Sequence, residues 1–240
     1  MIVGGLDEAG RGAIAGDLVV AGYAANENLI ESFKRVGIKD SKKVSAKKRK
    51  GFYPFLERRG KIVVESIHPE EIDKYVSKQV PGRSLNYLEA IYMAQIIDEL
   101  GADVVYVDSP YINLNRLWTD LRGLIKNQSV RIIPEHHADV THVIVGAASI
   151  CAKVKRDEAM EELKKKFGPM GSGYPGDRKT RDFLTGLVKK TGVKPEWTRH
   201  SWSSWDGWLT RPQSSEVCIT NTQDKVQKPY KTPQEVPQPQ

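Results

Sequence analysis

The hexapeptide Ala102-Asp-Val-Val-Tyr-Val107 constrains the fold more than any other stretch of the chain. It is short and, apart from Asp103, apolar throughout. Such a run fits neither a half-solvated strand nor an amphipathic helix; it is the pattern of a strand buried on both faces, which needs helices above and below its sheet. The flanks agree. A helix is expected from an N-cap at Ser84 through Leu100, where Gly101 stops it, and another strand over residues 130–134. Residues 1–6 and 18–24 read as strands paired across a Gly-rich turn, and residues 61–67 as a third. Ser45 is a plausible N-cap for a basic helix ending near Arg59-Gly60, and a long helical stretch runs from about 141 to 167. After Gly168 come a Gly/Pro-rich loop and more helix, rich in Trp between 197 and 208. The expected class is α/β, a mixed central sheet flanked by helices with a C-terminal helical part over about 168–211.

Residues 1–211 are enough for one domain. Residues 212–240 hold five of the 13 prolines and six Gln but no Trp or Phe. That segment cannot bury enough apolar surface to offset its ordering entropy, so a disordered tail is expected there. No apolar run approaches the roughly 18 residues of a membrane span, and the N-terminus lacks the basic start and apolar stretch of a leader. Cys151 and Cys218 show no metal or disulfide spacing. A soluble, cytoplasmic protein with no membrane partner is the expectation. The tail holds three Lys and three acids, so the net charge of +7 belongs to residues 1–211. A folded domain with that surplus favours polyanions.

The acids carry the chemistry. In Leu6-Asp7-Glu8-Ala9-Gly10-Arg11-Gly12, two carboxylates stand at the end of a strand against a Gly-Arg-Gly turn. Neighbouring carboxylates repel and call for a positive partner. Asp108 follows the buried strand directly, and Asp139 lies between a strand and a long helix. Alone, Asp108 reads as a turn former and Asp139 as an acid favoured at a helix N-terminus. Together, four acids at the carboxyl ends of sheet strands occupy the place where α/β sites gather. An oxygen-only set suits Mg²⁺ or Mn²⁺, and two such ions about 4 Å apart support phosphodiester hydrolysis. The expected partner of the acids is therefore metal and not lysine. A dinucleotide loop fits poorly, because Gly10, Gly12 and Gly16 do not have G-x-G-x-x-G spacing and no P-loop is present.

Contacts to a nucleic acid polymer are expected from Lys39 to Lys50, with seven basic residues in twelve positions, and from Lys153-Val-Lys155-Arg156. The first reads equally as solvated surface, while the second is placed to grip a phosphate beside the metals. Tyr174, in Gly171-Ser-Gly173-Tyr174-Pro175, sits in a loop read as too flexible for a core aromatic and suits stacking on a sugar or base.

These residues resemble the type 2 ribonucleases H (ribonuclease HII), in an archaeal-like single-chain form. The stretches that carry the resemblance are the one around Asp7, Lys39-Asp40-Ser41-Lys42-Lys43, Val107-Asp108-Ser109, Glu135-His136-His137-Ala138-Asp139, residues 147–157 and Gly171-Ser172-Gly173-Tyr174-Pro175, in family order across about residues 1–205. The resemblance implies a ribonuclease H-like sheet and a monomeric endonuclease using two Mg²⁺ or Mn²⁺ ions, which cuts RNA/DNA hybrids and cuts 5′ of single ribonucleotides in duplex DNA. It implies that Asp7, Glu8, Asp108 and Asp139 are catalytic metal ligands and that Gly10, Arg11, Gly12 and Tyr174 sense the ribose 2′-OH. Ser41, Lys42, Ser149 and Lys153 would lie near the substrate backbone. Ala13, Arg178 and Ser203 depart from residues usual in the family. Some relatives carry a C-terminal sliding-clamp peptide; Gln223-x-x-Val226-x-x-Pro229-Tyr230 is a poor version of it, with Val and Pro in place of larger apolar and aromatic residues. The competing readings are a nuclease acting on DNA junctions and a hybrid-binding module without chemistry.

Overall fold

The computed structural model describes residues 1–38 and 44–209. Ser41, Lys42 and the expected tail at 212–240 lie outside these residues. Strand β1 (Ile2–Ala9) pairs antiparallel with β2 (Leu18–Asn26), which pairs antiparallel with β3 (Lys61–Ile67). On the other side of β1, β4 (Val104–Asp108) and then β5 (Arg131–Glu135) add in parallel, giving the order β3-β2-β1-β4-β5. The mixed sheet is thus as expected. The apolar run ending at Val107 lies inside it, with Val104, Val105 and Val107 all buried.

Helices cover both faces. Helices α1 (Ile30–Val36) and α2 (Ala46–Glu57) lie on one face. Helices α3 (Pro69–Val76), α4 (Leu85–Leu100) and α5 (Leu114–Leu124) lie on the other. Next come the single turn α6 (Ala138–Thr141) and the long α7 (Val143–Phe167), which returns to the α1/α2 face. Successive strand residues alternate between the faces: Leu18, Val20 and Ala24 pack with α4, while Val19, Ala21, Tyr23 and Ala25 pack with α7.

Glycines set how closely the helices approach. A Cβ on Gly5 would lie 2.5 Å from the Ile144 carbonyl carbon of α7, and one on Gly22 would lie 2.3 Å from Ile96 Cγ2 of α4. The first half of α7 is buried over Ile144 to Ala152, because its small residues let backbone meet backbone. From Lys153 onward the helix emerges among charged residues.

Several boundaries differ from the sequence-based expectation. The long helical stretch begins at Ala138 and is divided at His142, whose backbone is extended. Three short helices are not foreseen by the sequence patterns: α1, α3, which starts with a proline in its first turn, and α5, capped by the Asn113 side chain accepting from Arg116 N. Helices α1 and α3 are too short for a period to stand out, whereas α5 does carry a helical spacing in Leu114, Leu117, Trp118, Leu121 and Leu124. Beyond Gly168, α8 (Arg178–Thr191) and α9 (Ser204–Leu209) make a third cluster, in which Leu184 and Trp205 pack on Ile14 and Ala15 of the β1–β2 link.

Candidate active site

The register of the sheet assembles the acids. Leu6 lies beside Val107 in the parallel β1/β4 pair, so the next residues on the two strands, Asp7 and Asp108, stand side by side on the α7 face. Asp139 arrives from the first turn of α6. One carboxylate oxygen from each of Asp7, Asp108 and Asp139 falls within a 4.8 Å cluster, and all three offer only oxygen. Asp108 also serves as a helix cap, since its Oδ1 accepts from Ala138 N at 3.0 Å and so closes the N-terminus of α6. The turn before α6 depends on His137, which adopts a left-handed conformation at φ 57°.

Glu8 behaves differently. As the next residue on β1 it points to the opposite face, toward Glu89 of α4. The structure therefore brings three of the four expected acids into one cluster and sets Glu8 on the wall of the adjoining groove. Among the described residues Glu8 Oε2 is buried without a hydrogen-bond donor.

Electrostatics follow from this burial. Desolvation pushes the Asp7 carboxyl up to about 6, against the pull of Lys153 and the Ser149 hydroxyl and with a further push from Asp108. Desolvation also drives Glu8 well above the ordinary carboxylate range, helped by repulsion from Asp7, Glu89 and Asp108. Such a collection of raised carboxyls marks a site built for added positive charge. The expectation that metal and not lysine partners the acids needs one correction. Lys153 Nζ lies 3.9 Å from Asp7 Oδ2 and donates to Ser149 Oγ at 2.5 Å, because one turn of α7 places residues 149 and 153 on the side facing β1.

The Gly10–Gly12 turn forms the rim. Gly10 has φ 89°, and a Cβ there would meet Arg156 Nε at 2.6 Å, so only glycine fits. Arg11 reaches sideways to α4, where its Nε lies 3.0 Å from both carboxylate oxygens of Glu89 and its Nη2 donates to Asn86 Oδ1 at 2.6 Å. Glu89 is fully buried, and burial lifts its carboxyl to about 7 despite Arg11. Tyr174 is 38% exposed with the Arg156 guanidinium 4.5 Å from its ring centre. Its loop is not flexible in the way the glycines suggested. Gly173 O accepts from Ile14 N at 2.8 Å and Ala15 N at 3.1 Å, Gly173 N donates to Thr180 Oγ1, and Arg156 Nη2 donates to Ser172 O. Gly171 and Gly173 adopt positive φ to form a tight, pinned turn.

A cavity of about 440 Å³ runs from Glu8 along the Gly10–Gly12 turn to Tyr174, with Arg49, Lys153 and Arg156 on its wall. Of the two basic stretches, each thus contributes: Arg49 from α2, anchored to Asp157 at 3.2 Å, and Lys153 and Arg156 from α7. Residues that sequence reasoning missed include Glu89, Arg199 and the His142–Glu135 pair. His142 Nε2 and Glu135 Oε2 are 2.8 Å apart, and the imidazole stacks on Tyr106, two residues before Asp108. Glu89 left a readable sign, a lone acid in Leu88-Glu89-Ala90-Ile91; Arg199 left none.

Comparison with known proteins gives a consistent result. The sequence model of the family Ribonuclease HII matches residues 4–205. The Ribonuclease HII of Cenarchaeum symbiosum is 42% identical over 204 residues, covering 84% of this chain and 95% of that protein. In structure, the ribonuclease H2 from Pyrococcus horikoshii OT3 superposes with a TM-score of 0.78 at 35% identity, over 86% of this chain and 96% of that one. The ribonuclease HII of Archaeoglobus fulgidus, solved as a PCNA complex, superposes at 0.75 and 34% identity, over 84% and 95%. Among the described residues no helix is long and apolar enough to cross a membrane. The fold is thus shared with relatives along nearly their whole length, and the chain belongs to the ribonuclease HII family, metal-dependent endonucleases that hydrolyse the RNA strand of RNA/DNA hybrids.

Proposed function

We propose that this enzyme, besides acting within hybrids, cuts 5′ of single ribonucleotides embedded in duplex DNA, using two Mg²⁺ or Mn²⁺ ions and leaving 3′-hydroxyl and 5′-phosphate ends. The observation that carries the reading is the clustered oxygens of Asp7, Asp108 and Asp139 beside a groove lined by the Gly10–Gly12 turn and Tyr174. The donor set fits the ions: it is all carboxylate oxygen, its carboxyls are raised by burial and mutual repulsion, and Glu8 keeps one oxygen unused. When bound, the ions supply an activated water and neutralise charge on the leaving oxygen.

The chain's own groups do the rest. Asp7, Asp108 and Asp139 would hold the ions, with Glu8 reaching them from the groove wall. Lys153 and Ser149 orient Asp7 and present a positive charge to the scissile phosphate, and Arg49 and Arg156 continue that charge along the groove. Gly10, Arg11 and Gly12 offer backbone groups to the ribose and Tyr174 a stacking face, which together test for the 2′-OH that separates RNA from DNA. Ser41 and Lys42 are assigned to the backbone of the substrate on the resemblance alone. The catalytic unit is residues 1–211, acting as a monomer, with 212–240 as its tail. A sliding-clamp partner is supported by the PCNA complex of the Archaeoglobus relative, although the tail motif around Gln223 lacks the large apolar residues of a good clamp peptide.

The test is a duplex DNA carrying one ribonucleotide, incubated with Mg²⁺, Mn²⁺ or chelator and mapped on a sequencing gel. A metal-dependent cut on the 5′ side is the expected result. Cleavage of long hybrids with no cut at the single ribonucleotide would keep the carboxylate site and discard the 2′-OH role of the turn and Tyr174.

A further inference from the structure

Arg199 is a guanidinium with no exposed surface, 189 residues from Gly10 in sequence. Its Nη1 donates to Arg11 O at 2.6 Å, and its Nη2 donates to Gly10 O at 2.7 Å and Gly16 O at 3.3 Å. Its own backbone is fixed in turn: Arg199 N donates to Ile14 O at 2.8 Å, and Trp205 Nε1 donates to Arg199 O at 3.0 Å. Among the described residues the guanidinium donates to backbone carbonyls alone, and burying a full charge in that way is costly. Burial accordingly holds the guanidinium down at about 10.

The consequence lies in the peptide planes. In a trans peptide the C=O of one residue and the N–H of the next point in opposite directions. With the carbonyls of Gly10 and Arg11 both turned onto Arg199, the N–H groups of Arg11 and Gly12 are turned away from it. Among the described residues neither N–H has an acceptor, whereas Ala13 N donates back to Gly10 O to close the turn. From the other side Glu89 holds the Arg11 side chain with both oxygens. Gly10, Arg11 and Gly12 line the groove that holds Tyr174.

We propose that Arg199, with Glu89 as its counterpart on α4, is a positioning residue for substrate selection: it fixes the peptide planes of the Gly10–Gly12 turn so that the Arg11 and Gly12 N–H groups are presented to the ribose at the cleavage junction. The inference rests on the proposed function, in which this turn senses the ribose. It assigns to the C-terminal helical part a share in specificity, since that part carries Arg199 and packs Trp205 against it.

The experiment compares kcat/KM on two substrates, single-ribonucleotide duplex and long RNA/DNA hybrid, for wild type, Arg199→Lys, Glu89→Gln and Leu184→Ala. Lysine keeps the charge but cannot serve two carbonyls as a planar fork. Because misplacement of a recognition element by about 1 Å can reduce rates about a hundredfold, Arg199→Lys is expected to lower the single-ribonucleotide to hybrid ratio by about tenfold or more. Leu184→Ala loosens the same cluster without touching the carbonyls and is expected to keep the wild-type ratio. An unchanged ratio in Arg199→Lys, or the same fall in Leu184→Ala, overturns the proposal. If Arg199→Lys does not fold, the ratio is read on Glu89→Gln, where a fall of similar size supports the proposal and an unchanged ratio overturns it. A wild type that ignores the single ribonucleotide defeats the sensing role of the turn itself, and the proposal falls with it.

Discussion

Replacing Asp7 by asparagine should make the metal-free protein more stable while abolishing cleavage. Asp7 is 4% exposed, and its carboxyl is raised from 3.8 to about 6, chiefly by desolvation. The folded protein therefore holds that proton more tightly than the unfolded chain does. Stability from this group is intact below pH 4, falls as the pH rises from about 4 to about 6, and is lost above that. At about 1.4 kcal/mol per tenfold in the proton equilibrium, the rise amounts to about 3 kcal/mol of destabilisation at neutral pH. The asparagine side chain has no charge to desolvate, and its carbonyl oxygen can still accept from Glu8 N, which bonds Asp7 Oδ1 at 2.7 Å. For a domain of this size about 1 kcal/mol moves the melting temperature by about 2–4 °C, so Asp7→Asn should melt about 6–12 °C above wild type in chelator at pH 7.5, and the gap should close near pH 4. Mg²⁺ or Mn²⁺ should raise the wild-type melting temperature, because an ion that binds only the folded form stabilises it, and should raise that of Asp7→Asn less. Scanning calorimetry at both pH values, with and without metal, reads all of this. A variant that melts at or below wild type in chelator at pH 7.5 refutes the argument from buried charge.

Four further outcomes are expected. Tyr174→Ala should slow cleavage at a single ribonucleotide by about tenfold, with stacking on a base or sugar worth about 1–3 kcal/mol, and affect long hybrids less; equal losses on both would remove its selective role. Asp108→Asn and Asp108→Ala should both abolish cleavage, but only Ala leaves Ala138 N without its acceptor, so Ala should be less stable than Asn by about 1 kcal/mol in urea titration; equal midpoints would deny the cap. Gly5→Ala should destabilise by about 1–3 kcal/mol, because its Cβ meets α7 backbone and not a movable side chain. Gly123→Ala, in α5 with nothing within 4 Å, should instead stabilise by about 0.5–1 kcal/mol.

The strands and the four acids were legible because their signals are local. A run of apolar residues ending in Val107 before Asp108-Ser109-Pro110, a paired Asp7-Glu8 before glycines, and helix ends at Ser45, Ser84 and Gly101 act over a few residues; Ser45 caps with its side chain, while Ser84 takes the N-cap position without a side-chain hydrogen bond. What chain pattern could not supply is register and face. Which acids cluster depends on Leu6 lying beside Val107 and on Glu8 falling on the other side of β1. That Lys153 meets Asp7 depends on Gly5 admitting α7 against the sheet. The pinned Tyr174 loop and the Arg199 fork include bonds 16 and 189 positions apart. No window of sequence encodes such contacts, because the energy that holds a buried charge on a distant carbonyl exists only after the core has excluded water from both.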